Sequence, residues 1–189
     1  MNYSRKNICR ENLSDNEYLT HMIPHHQVAI DISKIHIKKS TSPKIQNILR
    51  KLIWIQKFEI VLMEQVLKNN TDKISNNDKM HSYYIKTIAD YISPNKPELT
   101  KIYCDPHFFN PKQHMKHIEN MELDDEMYIK HMIPHHQVAI DMSKVLIKNT
   151  KNDFMIYLAY KIIRSQQDEI IILNEYLNSP YKHSSKLLI

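Results

Sequence analysis

Glycine is missing from all 189 residues, and that absence removes a class of functions. Without glycine no Gly-rich nucleotide-binding motif is possible, tight hairpins and phosphate-cradling loops are disfavoured, and left-handed turns at helix ends fall to asparagine. Cysteine is nearly missing as well. Cys9 and Cys104 lie far apart with no framework spacing, and CDPH at 104–107 lacks the second pair of ligands that a zinc site needs. Free thiols in a reducing compartment are the expectation. Long apolar runs are absent too. IIIL at 170–173 falls far short of the roughly 20 residues of a membrane span. The opening MNYSRKNICRENLSDNEY carries no apolar core of a secretory signal. A soluble, intracellular, cytoplasmic protein with no membrane partner is expected.

Charge of one sign is also scarce. The formal net charge is +5, and the lysines are scattered among acids without interleaved aromatics, so no nucleic-acid partner is expected. No nucleophile stands beside a base and no acid/base pair sits at a defined spacing, so hydrolytic chemistry has no candidate residues. Lysine, asparagine and isoleucine, with AT-rich codons, abound where glycine does not. An AT-rich genome, bacterial or that of a large DNA virus, is the expected source.

What the chain does contain is a repeat. HMIPHHQVAID at 21–31 returns letter for letter at 131–141, and the fixed offset of 110 aligns 15–67 with 125–177 without a gap. Identical pairs continue past the motif, as in Ser33 with Ser143, Lys34 with Lys144, Gln56 with Gln166, Glu59 with Glu169 and Leu67 with Leu177. Two identical parts, HMIPHHQVAID and QxxEI, are therefore separated by a divergent stretch.

Each unit reads as two helices. Ser14 with Glu17 makes a capping box for the first copy, and Asp124 or Asp125 can cap the second. Helical apolar spacing then runs to about Lys39 and Asn149. Ser42 and Pro43, or Asn152 and Asp153, start a second helix that ends at Asn69 or Asn178. A lone hairpin of this kind cannot bury its apolar faces, and two packed together make a four-helix bundle with an internal pseudo-twofold axis. The expected class is all-α. Its expected parts are a tail (1–14), a first hairpin (15–69), a connector (70–124) with a helix near 77–92, a second hairpin (125–178) and a tail (179–189), within one shared domain.

At about 100° per residue, Met22, His25, His26, Ala29 and Ser33 share one helical face, with His21 at its edge and Gln27, Asp31 and Lys34 turned to solvent. Pro24 inside that helix predicts a kink. Gln56, Glu59 and Met63 share a face of the second helix, where Leu173 replaces methionine in the other copy. A single inward histidine is ordinarily a hydrogen-bonded core residue, but burying several neutral imidazoles is costly unless each finds a partner. Thioether beside imidazole favours Cu(I), with silver as its chemical relative; zinc rarely uses methionine. A di-iron centre would need more carboxylates than Glu59 and Glu169 supply, so iron and a ferritin-like oxidoreductase rank third. The second reading is a metal-free structural or interaction module with a buried His/Gln/Glu hydrogen-bond network.

The chain resembles a known family at these residues. MIPHHQVAIDMSK, followed by LAYKIIRSQQDEI, is similar to the signature of the ferritin-like family called domain of unknown function 305, which includes bacterial copper-binding proteins of the CopM type. The resemblance implies a four-helix bundle and a non-enzymatic role in copper or silver binding. It implies Met22, His25, His26, Glu59 and Met63 as ligands in the first unit, and Met132, His135, His136 and Glu169 in the second. The expected partner is the metal ion, and a homo-oligomer is compatible with this arrangement. Met80, His81, His114, Met115, His117 and Met121 cluster ahead of the second unit; His114 and His117 share a helical face that could extend the metal-binding surface, although exposed His and Met in a connector are ordinarily neutral, and His36, His107 and His183 lack partners in the repeat and are expected at the surface.

Overall fold

The computed structural model describes residues 13–68 and 123–179, all in helices or their short connections and caps. Both cysteines, residues 70–122 of the connector with their Met and His side chains, and His183 lie outside the described residues. Four helices follow in order: α1 (Asp15–His36), α2 (Pro43–Lys68), α3 (Asp125–Asn149) and α4 (Asp153–Asn178).

The ends are set by the expected side chains. Ser14 Oγ accepts from Glu17 N while Glu17 Oε2 accepts from Ser14 N, a reciprocal box that satisfies two otherwise orphaned amides. Asp124 caps α3 through Met127 N at 2.7 Å, and Asn152 caps α4 through the amides of Phe154 and Met155. Before α2, Ser42 Oγ accepts from Ile45 N, with Pro43 as first helical residue. α1 stops three residues earlier than its apolar spacing predicts. Ser40 accepts from Ser42 N through its hydroxyl and from Gln46 Nε2 through its carbonyl, local bonds that compete with another helical turn.

Within each hairpin the two helices pack together, α1 packs on α3, and α2 meets α4. The buried apolar residues divide into two clusters, and each draws on both hairpins. One joins the first half of α1 and the end of α2 to the second half of α3 and the first half of α4, through Leu19, Met22, Met63, Val66, Met142, Leu146, Met155 and Leu158. The other has the halves exchanged, with Val28, Ile32, Ile45, Leu49, Ile129, Met132 and Leu173.

Reciprocal polar contacts express the same pseudo-twofold relation. Ser33 Oγ donates to Ala29 O and Ser143 Oγ to Ala139 O. Each serine hydroxyl has one proton, so the tyrosine across the interface is the donor: Tyr128 to Ser33 at 2.8 Å, and Tyr18 to Ser143 at 2.7 Å. Burial raises both phenol pKa values far above their ordinary range, which keeps the donating protons in place.

One expectation is corrected by the packing. His36 is buried rather than at the surface, bonded to Asp125 Oδ1 at 2.7 Å with its ring stacked on Tyr128. The reason is geometric: position 36 falls on the same helical face as Met22, and the end of α1 lies against the start of α3. Gln27, Asp31 and Lys34 do lie toward solvent, yet the matching Asp141 is buried, where Gln137 donates to it. Burial raises its carboxyl pKa.

Because each cluster needs both hairpins, residues 1–75 expressed alone should be poorly folded or should self-associate into a dimer that supplies the missing half. Sedimentation and a thermal melt check this; a monomer with a cooperative melt contradicts it.

Candidate metal centre

Between the two apolar clusters lies a layer of buried polar side chains: His25, His26, Gln56 and Glu59 from the first hairpin, and His135, His136, Gln166 and Glu169 from the second. α1 and α3 present the imidazoles because Met22, His25 and His26 recur at i, i+3 and i+4, and α2 and α4 present the amide and carboxylate at i and i+3. All nine residues expected as ligands, Met22, His25, His26, Glu59, Met63, Met132, His135, His136 and Glu169, are buried.

The layer is organised by two imidazole–carboxylate pairs. His26 Nε2 lies 2.8 Å from Glu59 Oε2, and His136 Nε2 lies 2.6 Å from Glu169 Oε2. With the carboxylate accepting, Nε2 carries the proton and Nδ1 is left without a hydrogen-bond partner among the described residues, in both rings. This is the orientation in which metal-binding histidines are commonly held, one nitrogen donating to a carboxylate and the other presenting its lone pair. The side-chain amides of Gln56 and Gln166 also lack hydrogen-bond partners among the described residues.

On the pseudo-twofold axis the rings of His25 and His135 stack, with centroids 3.7 Å apart and planes 30° from parallel. Each also lies about one ring away from its neighbour in sequence, at 6.1 Å in both hairpins. Burial, followed by the neighbouring imidazoles His25, His136, His131 and His26, pushes the His135 pKa well below the ordinary histidine range. His135 is therefore neutral, the form in which an imidazole can bind a metal. Among the described residues, no group of three His, Cys, Asp or Glu side chains is disposed to hold an ion. An ion in this layer would need other donors beside the nitrogens. Met22 and Met63 are buried together in one cluster, and Met132 lies with Leu173 in the other.

Several residues of this arrangement escape sequence reasoning. Ser165 Oγ donates to Glu59 Oε1 at 2.8 Å, so α4 fixes the second oxygen of a carboxylate on α2. The matching position is Ile55, and Glu169 Oε1 has no hydrogen-bond partner among the described residues. Nothing in the repeat signals Ser165, whereas the Tyr18/Tyr128 match was visible at the same offset as the histidines. Met142 and Met155 join Met22 and Met63 in the first cluster and were hidden because they face Ile32 and Ile45 in the alignment.

The family model for domain of unknown function 305 matches residues 15–177, which include all four helices except Asn178, the last residue of α4. The chain belongs to that family. Among solved structures it is similar to CopM in an Ag-bound form, with 26% identity over 90% of this chain and 99% of that one and a TM-score of 0.58. It is similar to CopM in the Cu(I)-bound form at 26% identity, 92% and 99% coverage and a TM-score of 0.56. A fragment of the same family from Deinococcus radiodurans shares the fold at 16% identity, 86% and 94% coverage and a TM-score of 0.55. The uncharacterized protein L153 of Acanthamoeba polyphaga mimivirus is 46% identical over 56 residues, 30% of this chain and 37% of that protein. The match spans little more than a third of that relative's length; its viral source is consistent with one of the two expected sources, a bacterium or a large DNA virus. Among the described residues no helix is long and apolar enough to cross a membrane.

Removing one partner of a buried pair strands the other without its bond. His26→Leu alone should cost about 3–5 kcal/mol of stability, and His26→Leu with Glu59→Leu should recover most of it. Urea unfolding of the two single variants and the double completes the cycle. Simple additivity of the two single effects would contradict a coupled pair.

Proposed function

We propose that the protein binds soft monovalent copper, or silver, through methionine and histidine side chains of the bundle interior, in sequestration or transfer of the ion and without enzymatic chemistry. The single observation that carries this reading is the Nδ1 of His26 and of His136, buried and without a hydrogen-bond partner among the described residues, while Nε2 is held by a carboxylate. A buried ring nitrogen without a hydrogen-bond partner, on the same helical face as Met22 or Met132, suits Cu(I) or Ag(I), for which soft donors are preferred. The similarity to CopM, solved with Ag and with Cu(I) bound, supports the same class of ion.

Met22, His25, His26 and Met63 would supply the donors in the first half, and Met132, His135 and His136 in the second. Glu59 and Glu169, expected as ligands, are better placed to orient the imidazoles, because the carboxylate oxygen nearest each ring already accepts its N–H. A bound ion would be held by soft thioether and imidazole donors in a site closed to water, with the carboxylates of Glu59 and Glu169 fixing the ring orientations. Zinc and iron fit less well, since the carboxylates are engaged and thioethers are soft. A metal-free hydrogen-bond network is the second reading, and the orphaned amides of Gln56 and Gln166 count against it, since a network that specifies pairing should satisfy its members.

A competition titration of the full chain against a Cu(I) chelator, under reducing conditions, tests the reading. Copper should compete successfully in the parent protein. It should be lost in the folded variant carrying His26→Leu, Glu59→Leu, His136→Leu and Glu169→Leu, in which both members of each pair are replaced and Ser165 keeps Ile162 O as acceptor. Failure of the parent to take up Cu(I) or Ag(I), or undiminished uptake by the fourfold variant, would remove this function.

A further inference from the structure

The two imidazole–carboxylate pairs are alike in sequence and in their first bond, but they are not completed in the same way. In the first half, Glu59 Oε2 accepts from His26 Nε2 at 2.8 Å and Glu59 Oε1 accepts from Ser165 Oγ at 2.8 Å. His26, Glu59 and Ser165 stand on α1, α2 and α4, so this carboxylate is held from both hairpins. In the second half, Glu169 Oε2 accepts from His136 Nε2, while Glu169 Oε1 is buried without a hydrogen-bond partner among the described residues. The repeat gives the reason: the position that matches Ser165 is Ile55, whose side chain has nothing to donate.

Ser165 has a local alternative, since its hydroxyl also lies 3.1 Å from Ile162 O, one turn back on α4. One hydroxyl has one proton, and the shorter approach is to the carboxylate, the stronger acceptor. A carboxylate with a single oxygen engaged can turn about its last side-chain bond and carry the imidazole with it. With both oxygens engaged from different helices it cannot turn without breaking a bond, and a ring fixed in advance loses less freedom when it takes an ion. The hydroxyl also draws some charge from Glu59, but the bond to His26 persists at 2.8 Å, so orientation is the larger effect.

Resting on the proposed soft-metal reading, we infer that Ser165 is a positioning residue for the His26 half of the layer, and that the two halves take up the ion with unequal affinity because only the first has such a residue. Ser165 need not touch the ion; it acts through Glu59 on the His26 ring. It stands one turn before Glu169 on its own helix, yet it serves the glutamate of the other hairpin. The first half is thereby completed by the second hairpin, whereas His136 and Glu169 both belong to one hairpin and their pair lacks the cross-hairpin bond.

Silver serves as probe, because Ag(I) does not change oxidation state in the titration. Side-chain nitrogen NMR of the full chain, followed as Ag(I) is added, reads His26 and His136 separately. In the parent, Nδ1 of His26 should respond at a lower silver concentration than Nδ1 of His136. Ser165→Ala should weaken the His26 response by roughly tenfold or more, the usual size of an orienting partner's effect, and leave His136 unmoved. Ser165→Thr keeps the hydroxyl and should restore the parent behaviour. Ile55→Ser should strengthen the His136 response by offering Glu169 Oε1 a donor, and it tests the inference even if Ser165→Ala folds poorly. A merely structural Ser165 would shift the thermal melt and leave the ratio of the two responses where it was. Equal responses in the parent, an unchanged ratio in folded Ser165→Ala, a loss that Ser165→Thr does not restore, or a His136 response indifferent to Ile55→Ser would each overturn the inference while leaving soft-metal binding itself in place. A parent in which neither histidine responds to silver would instead remove the reading on which it rests.

Discussion

Burying four imidazoles and two carboxylates in the middle of a small bundle is the constraint on which the structure depends. Each desolvated polar group costs free energy unless it is bonded, and an isolated buried carboxylate costs most. The chain meets this demand within each hairpin by His26 with Glu59 and His136 with Glu169, pairs whose members are 33 residues apart and lie on adjacent helices. That requirement fixes which faces of α1 and α2 meet, and likewise α3 and α4. The apolar residues are then left to form clusters on either side, each completed only when the hairpins combine.

The joining of the hairpins uses different chemistry. Tyr18 with Ser143 and Tyr128 with Ser33 close reciprocal bonds across the interface, and the serines pass their own protons to backbone carbonyls one turn away. The stacked rings of His25 and His135 sit where the two hairpins are equivalent. The lowered pKa of His135 keeps that ring neutral, so the stack avoids the repulsion that two charged rings would suffer. His36 and Asp125 then add a contact at only one end, since the matching position holds Leu146.

Much of this was legible because the chain carries its own comparison. Helix starts followed from Ser14, Asp124, Ser42 and Asn152, whose side chains act locally. The buried polar face followed from helical spacing alone. Contacts between unlike positions were not legible. Ser165 reaches Glu59 from the other hairpin, while its own match is isoleucine, so neither spacing nor repetition marks it. His36 shows the opposite error: helical spacing placed it inward, and the demand for a histidine partner in the repeat hid it. A repeat highlights what both halves need and conceals what only one half uses, and the methionines at 142 and 155 belong to the second kind.

The central claim is that the carboxylates keep the protons of His26 and His136 on Nε2 so that Nδ1 is available to a soft cation. Long-range proton–nitrogen NMR of the histidine side chains, on the full chain without metal and after one equivalent of Ag(I), tests it most directly. The account predicts the Nε2–H tautomer for both rings in the free protein, and on addition of silver a shift of the unprotonated Nδ1 resonance of His26 with its Nε2 proton retained. A proton on Nδ1 in the free protein, or silver that displaces the Nε2 proton or leaves both nitrogens of His26 unmoved, would contradict it.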